Sequence, residues 1–124
     1  MLVVDAANVF GSRPDGWWRD RPGAADRLVG RIARAVAAGT VAGPVTVVLE
    51  GQARRGRAAG DHGGVTVVHA PGVGDDMIAA LAADLGADAT VVTADRALAA
   101  RVTTTGGAVV GPRSLLERLD RADA

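Results

Sequence analysis

Runs of apolar residues that are largely continuous, instead of alternating with polar ones, constrain this chain most. Leu2–Val4, Val45–Leu49, Val65–His69, Thr90–Thr93 and Ala108–Val110 are short and valine-rich. A strand with one wet face alternates apolar and polar residues, whereas a strand covered on both faces does not. The segments between these runs carry helical periodicity. Ala25, Leu28, Val29, Ile32 and Val36 follow i, i+3, i+4, i+7 spacing, with Arg27, Arg31 and Arg34 off that face. Ile78, Leu81 and Leu85 mark a second helix, and Leu98 and Val102 a third that starts near Asp95. Leu115, Leu116 and Leu119 mark a fourth, which follows Gly111-Pro112 and so has proline near its start. Strands alternating with helices predict an α/β fold: one doubly wound, mainly parallel, five-stranded sheet with helices on both faces. Residues 1–124 are read as a single domain, a length that buries a core without disulfides.

Composition removes several chemistries. The chain has no cysteine, so disulfides and thiolate zinc sites are excluded. All fourteen basic residues are arginine, which rules out a P-loop lysine, a Schiff base and a lysine general base. The formal net charge is zero, so nucleic acid can be drawn only by local patches. No apolar run approaches the roughly 18 residues of a membrane span. Asp5 interrupts the first run too early for a signal peptide. The expected location is the cytoplasm, with no membrane partner.

In a doubly wound sheet, ligands bind beyond the carboxyl ends of the strands. Acidic residues collect at those positions here. Asp5 follows the first run, Glu50 the second and Asp95 the fourth, while Asp75 and Asp76 open the helix after the third. Asp75 lies three residues before Ile78 and leans toward the sheet edge; Asp76 is rotated about 100° away. Each aspartate alone is adequately explained as a helix cap. Together at one edge, Asp5, Asp75 and Asp95 repel one another unless a hard cation joins them, and Mg²⁺ or Mn²⁺ accepts all-oxygen ligands. Glu50 reads either as an outer ligand or as an ordinary loop residue. His62 and His69 are isolated and form no zinc set.

The motifs VVDAANV, GDDMI and VVTADRAL, in that order, resemble the NYN domains of the PIN-like nuclease superfamily, especially the YacP-like branch. The resemblance covers nearly the whole chain in element order. It implies a PIN-like, Rossmann-like three-layer sandwich and metal-dependent hydrolysis of RNA phosphodiester bonds by a water activated on Mg²⁺ or Mn²⁺. The implied metal ligands are Asp5, Asp75 and Asp95, with Asp76 as a further carboxylate. Asn8 would orient Asp5 or contact the substrate phosphate; Asp5, Asn8, Asp75 and Asp95 form the implied catalytic set. Thr93 matches a hydroxyl position beside the metal, and Arg96 follows Asp95 as a substrate contact. The chain carries Ala6-Ala7 where relatives often have Gly or Tyr, and Glu50 where Asp is frequent. RNA is the expected partner, with DNA and a second copy of the chain also allowed.

Between Ser12 and Arg21 a loop carries both tryptophans. Trp17 and Trp18 with Arg13 and Arg19 form a candidate substrate clamp, because bases stack on exposed aromatic faces and arginines pair with phosphates. The structural alternative is that the tryptophans lid the core. The glycine- and arginine-rich segment Gly51–Gly64 reads as a short helix or a mobile basic loop; Arg54, Arg55 and Arg57 make it a second candidate phosphate patch. Two rivals fall short. VTVVHAPGVGDD has half of a dinucleotide-binding fingerprint, but Met77 stands where the third glycine belongs and Asp75 and Asp76 would repel a pyrophosphate. Phosphoacceptor receivers and haloacid-dehalogenase-type phosphatases need a lysine. The remaining alternative is a non-catalytic PIN-like module that binds RNA or protein.

Overall fold

Valine decides the architecture. In the computed structural model, which describes residues 1–123, the strand β2 (Val45–Leu49) is buried along its entire length. It sits inside a six-stranded sheet with β1 (Leu2–Asp5), β3 (Gly60–His62), β4 (Val65–His69), β5 (Thr90–Val92) and β6 (Ala108–Val110), in the order β3-β4-β2-β1-β5-β6. Every pairing is parallel except β3 with β4. Side chains alternate across the sheet and divide the core in two. Val4, Val45, Val47, Leu49 and Val92 pack with Phe10, Leu28, Val29, Ile32, Leu115, Leu116 and Leu119. These belong to helices α1 (Ala6–Gly11), α2 (Arg21–Ala37) and α5 (Pro112–Asp123). Val3, Val48 and Val91 pack with Ile78, Ala82, Leu98 and Val102 from α3 (Gly74–Leu85) and α4 (Arg96–Thr104). The result is the expected three-layer α/β sandwich.

The sixth strand corrects the expected count of five. β3 lies inside the Gly51–Gly64 segment, where a 3-10 turn, Gly51–Arg55, is followed by three exposed or half-exposed residues paired antiparallel to β4. Its sequence, Gly-Asp-His, has no apolar pattern to announce it. Its one local signal is the pair Gly63-Gly64, both at positive φ (63° and 86°), which closes a two-residue hairpin. Short and polar, β3 also protects the sheet edge from pairing with other chains. Two further elements escape the periodicity: α1, which starts directly after Asp5, and the 3-10 turn Trp17–Arg19. In α2, Ala35 is fully buried and Val36 only partly, so the inward stripe is set slightly off the expected one. Thr93 lies one residue past β5, yet its N–H still donates to the Val110 carbonyl at 3.0 Å.

Strand order sets the functional edge. From β1 the chain moves outward through β2 to β4, then crosses by α3 to β5 on the other side of β1. The switch point therefore lies between the carboxyl ends of β1 and β5, where a doubly wound sheet opens a crevice.

Candidate active site

Asp5 ends β1 at that switch point and is only 3 % exposed. Two side chains hold one of its oxygens. Asn8, in the first turn of α1, donates its amide N–H to Asp5 Oδ2 at 2.8 Å, and Thr93 donates its hydroxyl to the same oxygen at 2.9 Å. The partners are themselves fixed. Asn8 Oδ1 accepts the Ala94 N–H at 3.3 Å, and Thr93 Oγ1 accepts the Asp95 N–H at 3.1 Å. Asp5 is thus clamped between α1 and the β5–α4 turn. Burial raises the Asp5 pKa above its ordinary value; the hydrogen bonds from Thr93 and Asn8 oppose this, and the nearby Asp75 charge adds to it.

The other carboxylates come from helix starts. Asp95 caps α4 by accepting the Leu98 N–H at 2.9 Å. Glu50, past the end of β2, accepts the Gly74 N–H at 2.9 Å and so supports the start of α3. Asp75 stands in the first turn of α3 and has no ion-pair partner among the described residues. Its pKa is raised by partial burial first, then by the charges of Asp95 and Glu50, against a smaller lowering by Arg101. Asp75 therefore interacts with Asp5, Asp95 and Glu50 across the crevice. Asp76 is placed elsewhere: it pairs with Arg101 at 3.0 Å with its side chain 90 % exposed. One helical step separates the two neighbours' fates, as the 3.6-residue turn requires.

These donors are all oxygen and suit a hard divalent ion. As placed, no three Asp, Glu or His residues among the described ones stand close enough to cage an ion. Asp95 and Glu50 each accept a helix N–H. The donor chemistry fits Mg²⁺ or Mn²⁺, and Asp5, Asp75 and Asp95 are the residues that would hold such an ion. His62 and His69 each bond a backbone carbonyl at 2.7 Å.

The candidate substrate residues divide. Arg13 is held in a two-pronged pair with Asp120 on α5, at 2.8 and 3.3 Å, and so is tied to α5. Arg57 is paired with Asp26 on α2 at 2.6 Å, whereas Arg55 and Arg96 are exposed and outside every ion pair among the described residues. Trp17 packs on the core, stacked against Phe10 with ring centroids 6.0 Å apart. Trp18 is 46 % exposed and stands edge-on to Trp17, with Arg19 over its ring at 5.8 Å. One tryptophan thus lids the core and the other faces solvent. Sequence reasoning passes over Phe10, Arg21 and Gln52, which with Trp17 and Arg54 line a cavity of about 630 Å³ beside the carboxylates. A signal exists: Phe10, Trp17 and Trp18 are all the aromatic residues of the chain, within nine consecutive positions.

Solved structures share this arrangement of strands and helices. Rae1 (YacP) from Bacillus subtilis superposes with a TM-score of 0.78 at 22 % identity, over 99 % of this chain and 75 % of that one. The fold is that of YacP. A single-substitution variant of the same protein superposes with a TM-score of 0.76 at 23 % identity, over 98 % and 76 % of the two chains. The PIN-like sandwich implied by the sequence motifs is therefore the fold the chain adopts. No protein-family model matches the chain, and no curated protein sequence matches it. Among the described residues, no helix is long and apolar enough to cross a membrane.

Proposed function

We propose that this protein is a metal-dependent nuclease of the PIN-like superfamily, with RNA as its substrate. One observation carries the reading. At the switch point of a YacP fold, the buried carboxylate of Asp5 ends β1 while Asp75 and Asp95 stand at the starts of α3 and α4, and burial together with neighbouring carboxylates raises the pKa values of Asp5 and Asp75. Sites that concentrate uncompensated, pKa-shifted groups in a cleft are functional candidates. Asp5, Asp75 and Asp95 would hold Mg²⁺ or Mn²⁺, with Asp76 drawn away by Arg101. When bound, such an ion supplies the charge that polarises a phosphoryl oxygen and makes hydroxide available near neutral pH. Around it, Asn8 and Thr93 hold Asp5 by hydrogen bonds, and the exposed Arg19 and Arg96 would meet phosphates. RNA as the substrate rests on the NYN resemblance.

A second reading has its own support. Asp95 and Glu50 already serve as helix caps, which is what the carboxylates of a non-catalytic RNA- or protein-binding module would do. Cleavage decides between the two. The purified chain should cut single-stranded RNA with Mn²⁺ and lose that activity as Asp5→Asn and Asp95→Asn. Asparagine caps helices about as well as aspartate, so Asp95→Asn should stay folded by circular dichroism. Variants that cut as fast as the parent would falsify the nuclease assignment. A parent that binds RNA but cuts it with no divalent ion establishes the binding module instead.

A further inference from the structure

The cavity beside the carboxylates is not accounted for by metal chemistry. It opens at the carboxyl ends of β1, β2 and β4, and its volume of about 630 Å³ lies within the range of small-molecule sites. Its location is informative. Ala6 and Ala7 on its wall directly follow Asp5, and Glu50 belongs both to the wall and to the acidic crevice. Whatever fills the cavity sits next to the reacting centre.

The walls have a definite chemistry. On one side the Phe10 and Trp17 rings lie nearly parallel, 21° apart. The turn after β4 closes another side with Gly72 and with Val73, which is 70 % exposed. The exposed Val73 and the partly buried Trp17 ring give the cavity apolar surface on two sides. The polar groups are few. Arg21 holds its guanidinium 5.3 Å over the Trp17 ring. Arg54 is fixed by bonds to the Gly51 and Ala70 carbonyls, at 3.0 and 3.3 Å. A guanidinium has more N–H donors than those two bonds use, so Arg54 is a held cation with donors to spare. The Gln52 amide is exposed on the same wall. Walls of this chemistry suit a planar group with a hydrogen-bonding edge near Gln52 and an anion near the two arginines.

We propose that this cavity binds one unpaired base of the substrate strand, stacked along the Trp17–Phe10 wall, with Arg21 and Arg54 on its phosphate. The proposal rests on the nuclease reading and deepens it: the substrate must be single-stranded at that nucleotide, because a paired base cannot enter. Base stacking on aromatic side chains is sequence-tolerant, so selectivity for one base falls to the Gln52 amide.

Two measurements test it, one of which needs no cleavage. In the first, nucleoside 5′-monophosphates are titrated into the metal-free protein and tryptophan fluorescence is followed. Saturable quenching is expected in the parent and in Trp18→Phe, where Trp17 is the only reporter. Gly72→Phe should abolish it. A Cβ at Gly72 meets no atom within 4 Å, and its backbone is outside the left-handed region, so this bulk is added without disturbing the core. No quenching by any of the four nucleotides, or quenching unchanged in Gly72→Phe, overturns the pocket. In the second, a short RNA is made abasic at each position in turn beside the cut. One position should lower kcat/KM about 10- to 100-fold, in line with the cost of losing one stacked base. RNA that is cut equally well at every abasic position refutes the pocket and leaves the nuclease standing. Nucleotide binding with no cleavage supports the pocket and removes the nuclease.

Discussion

Two clusters of charge in this protein use the same residue type in opposite ways. On the α2–α5 flank, Asp120 takes Arg13 and Arg31 at 2.8 and 2.9 Å, and Asp123 takes Arg31 and Arg34 at 2.7 and 3.5 Å. The Arg13 and Arg31 guanidiniums hold the Asp120 carboxyl down at about 2, and Arg31 lowers Asp123 as well. At the carboxyl ends of the strands the pKa values of Asp5 and Asp75 move the other way, because burial and like charges dominate. A carboxylate surrounded by arginines is a fastener between helices. A buried carboxylate near other carboxylates is costly to ionise, the pattern expected of a ligand site.

The contrast can be broken at several points. The largest effect belongs to the acidic edge: with Mn²⁺ present, Asp5→Asn and Asp95→Asn should each lower RNA cleavage by several orders of magnitude while Asp120→Asn leaves it unchanged. An Asp120→Asn protein as inactive as Asp5→Asn would erase the distinction. Next comes Thr93→Val, which keeps the side-chain shape but removes the hydroxyl shared by Asp5 and the Asp95 N–H. Losing a partner that orients a metal ligand costs about 10- to 100-fold in affinity or activity, measurable as a raised Mn²⁺ requirement. A Thr93→Val enzyme with an unchanged Mn²⁺ requirement would show that the clamp on Asp5 is only structural.

Stability effects are smaller and differ in sign between the regions. The folded pKa of Asp5 lies above its ordinary value of 3.8, so the penalty for ionising it is absent below that pH and grows as pH rises through the folded value. Metal-free Asp5→Asn should therefore melt a few degrees above the parent at pH 7 and no higher than the parent at pH 3. Saturating Mn²⁺ should raise the parent's melting temperature and not the variant's. A metal-free variant that melts below the parent at pH 7 would mean that Asp5 stabilises the fold. The smallest change is expected for Asp120→Ala. A carboxylate with a lowered pKa contributes stability above pH 3.8 and loses it as pH falls toward about 2. Its modest Tm deficit at pH 7 should shrink at high salt, because exposed pairs are screened. A deficit indifferent to salt would point to packing.

Much of the site is legible in the sequence. Strand-end carboxylates can be placed from it because a parallel sheet sends all its carboxyl ends to one edge, and Asp5, Asp75 and Asp95 do reach that edge. The offset between Asp75 and Asp76 follows from helical geometry. Features without local pattern are not legible in this way. β3 carries no apolar residue, and α1 is too short to show a period. The arginines are the hardest to read: Arg13 is expected over the substrate and instead meets Asp120, a partner 107 positions along the chain.

By itself, then, the sequence determined the layered α/β class, the helix stripes and the acidic edge, because each follows from continuous apolar runs, from the 3.6-residue repeat or from the direction of parallel strands. Tertiary structure alone decided which charges are neutralised, which tryptophan packs on the core, and that Phe10, Trp17 and the turn after β4 line a cavity. Those outcomes depend on which distant segments meet, and long flexible side chains such as arginine choose their partners only once the backbone has brought them within reach.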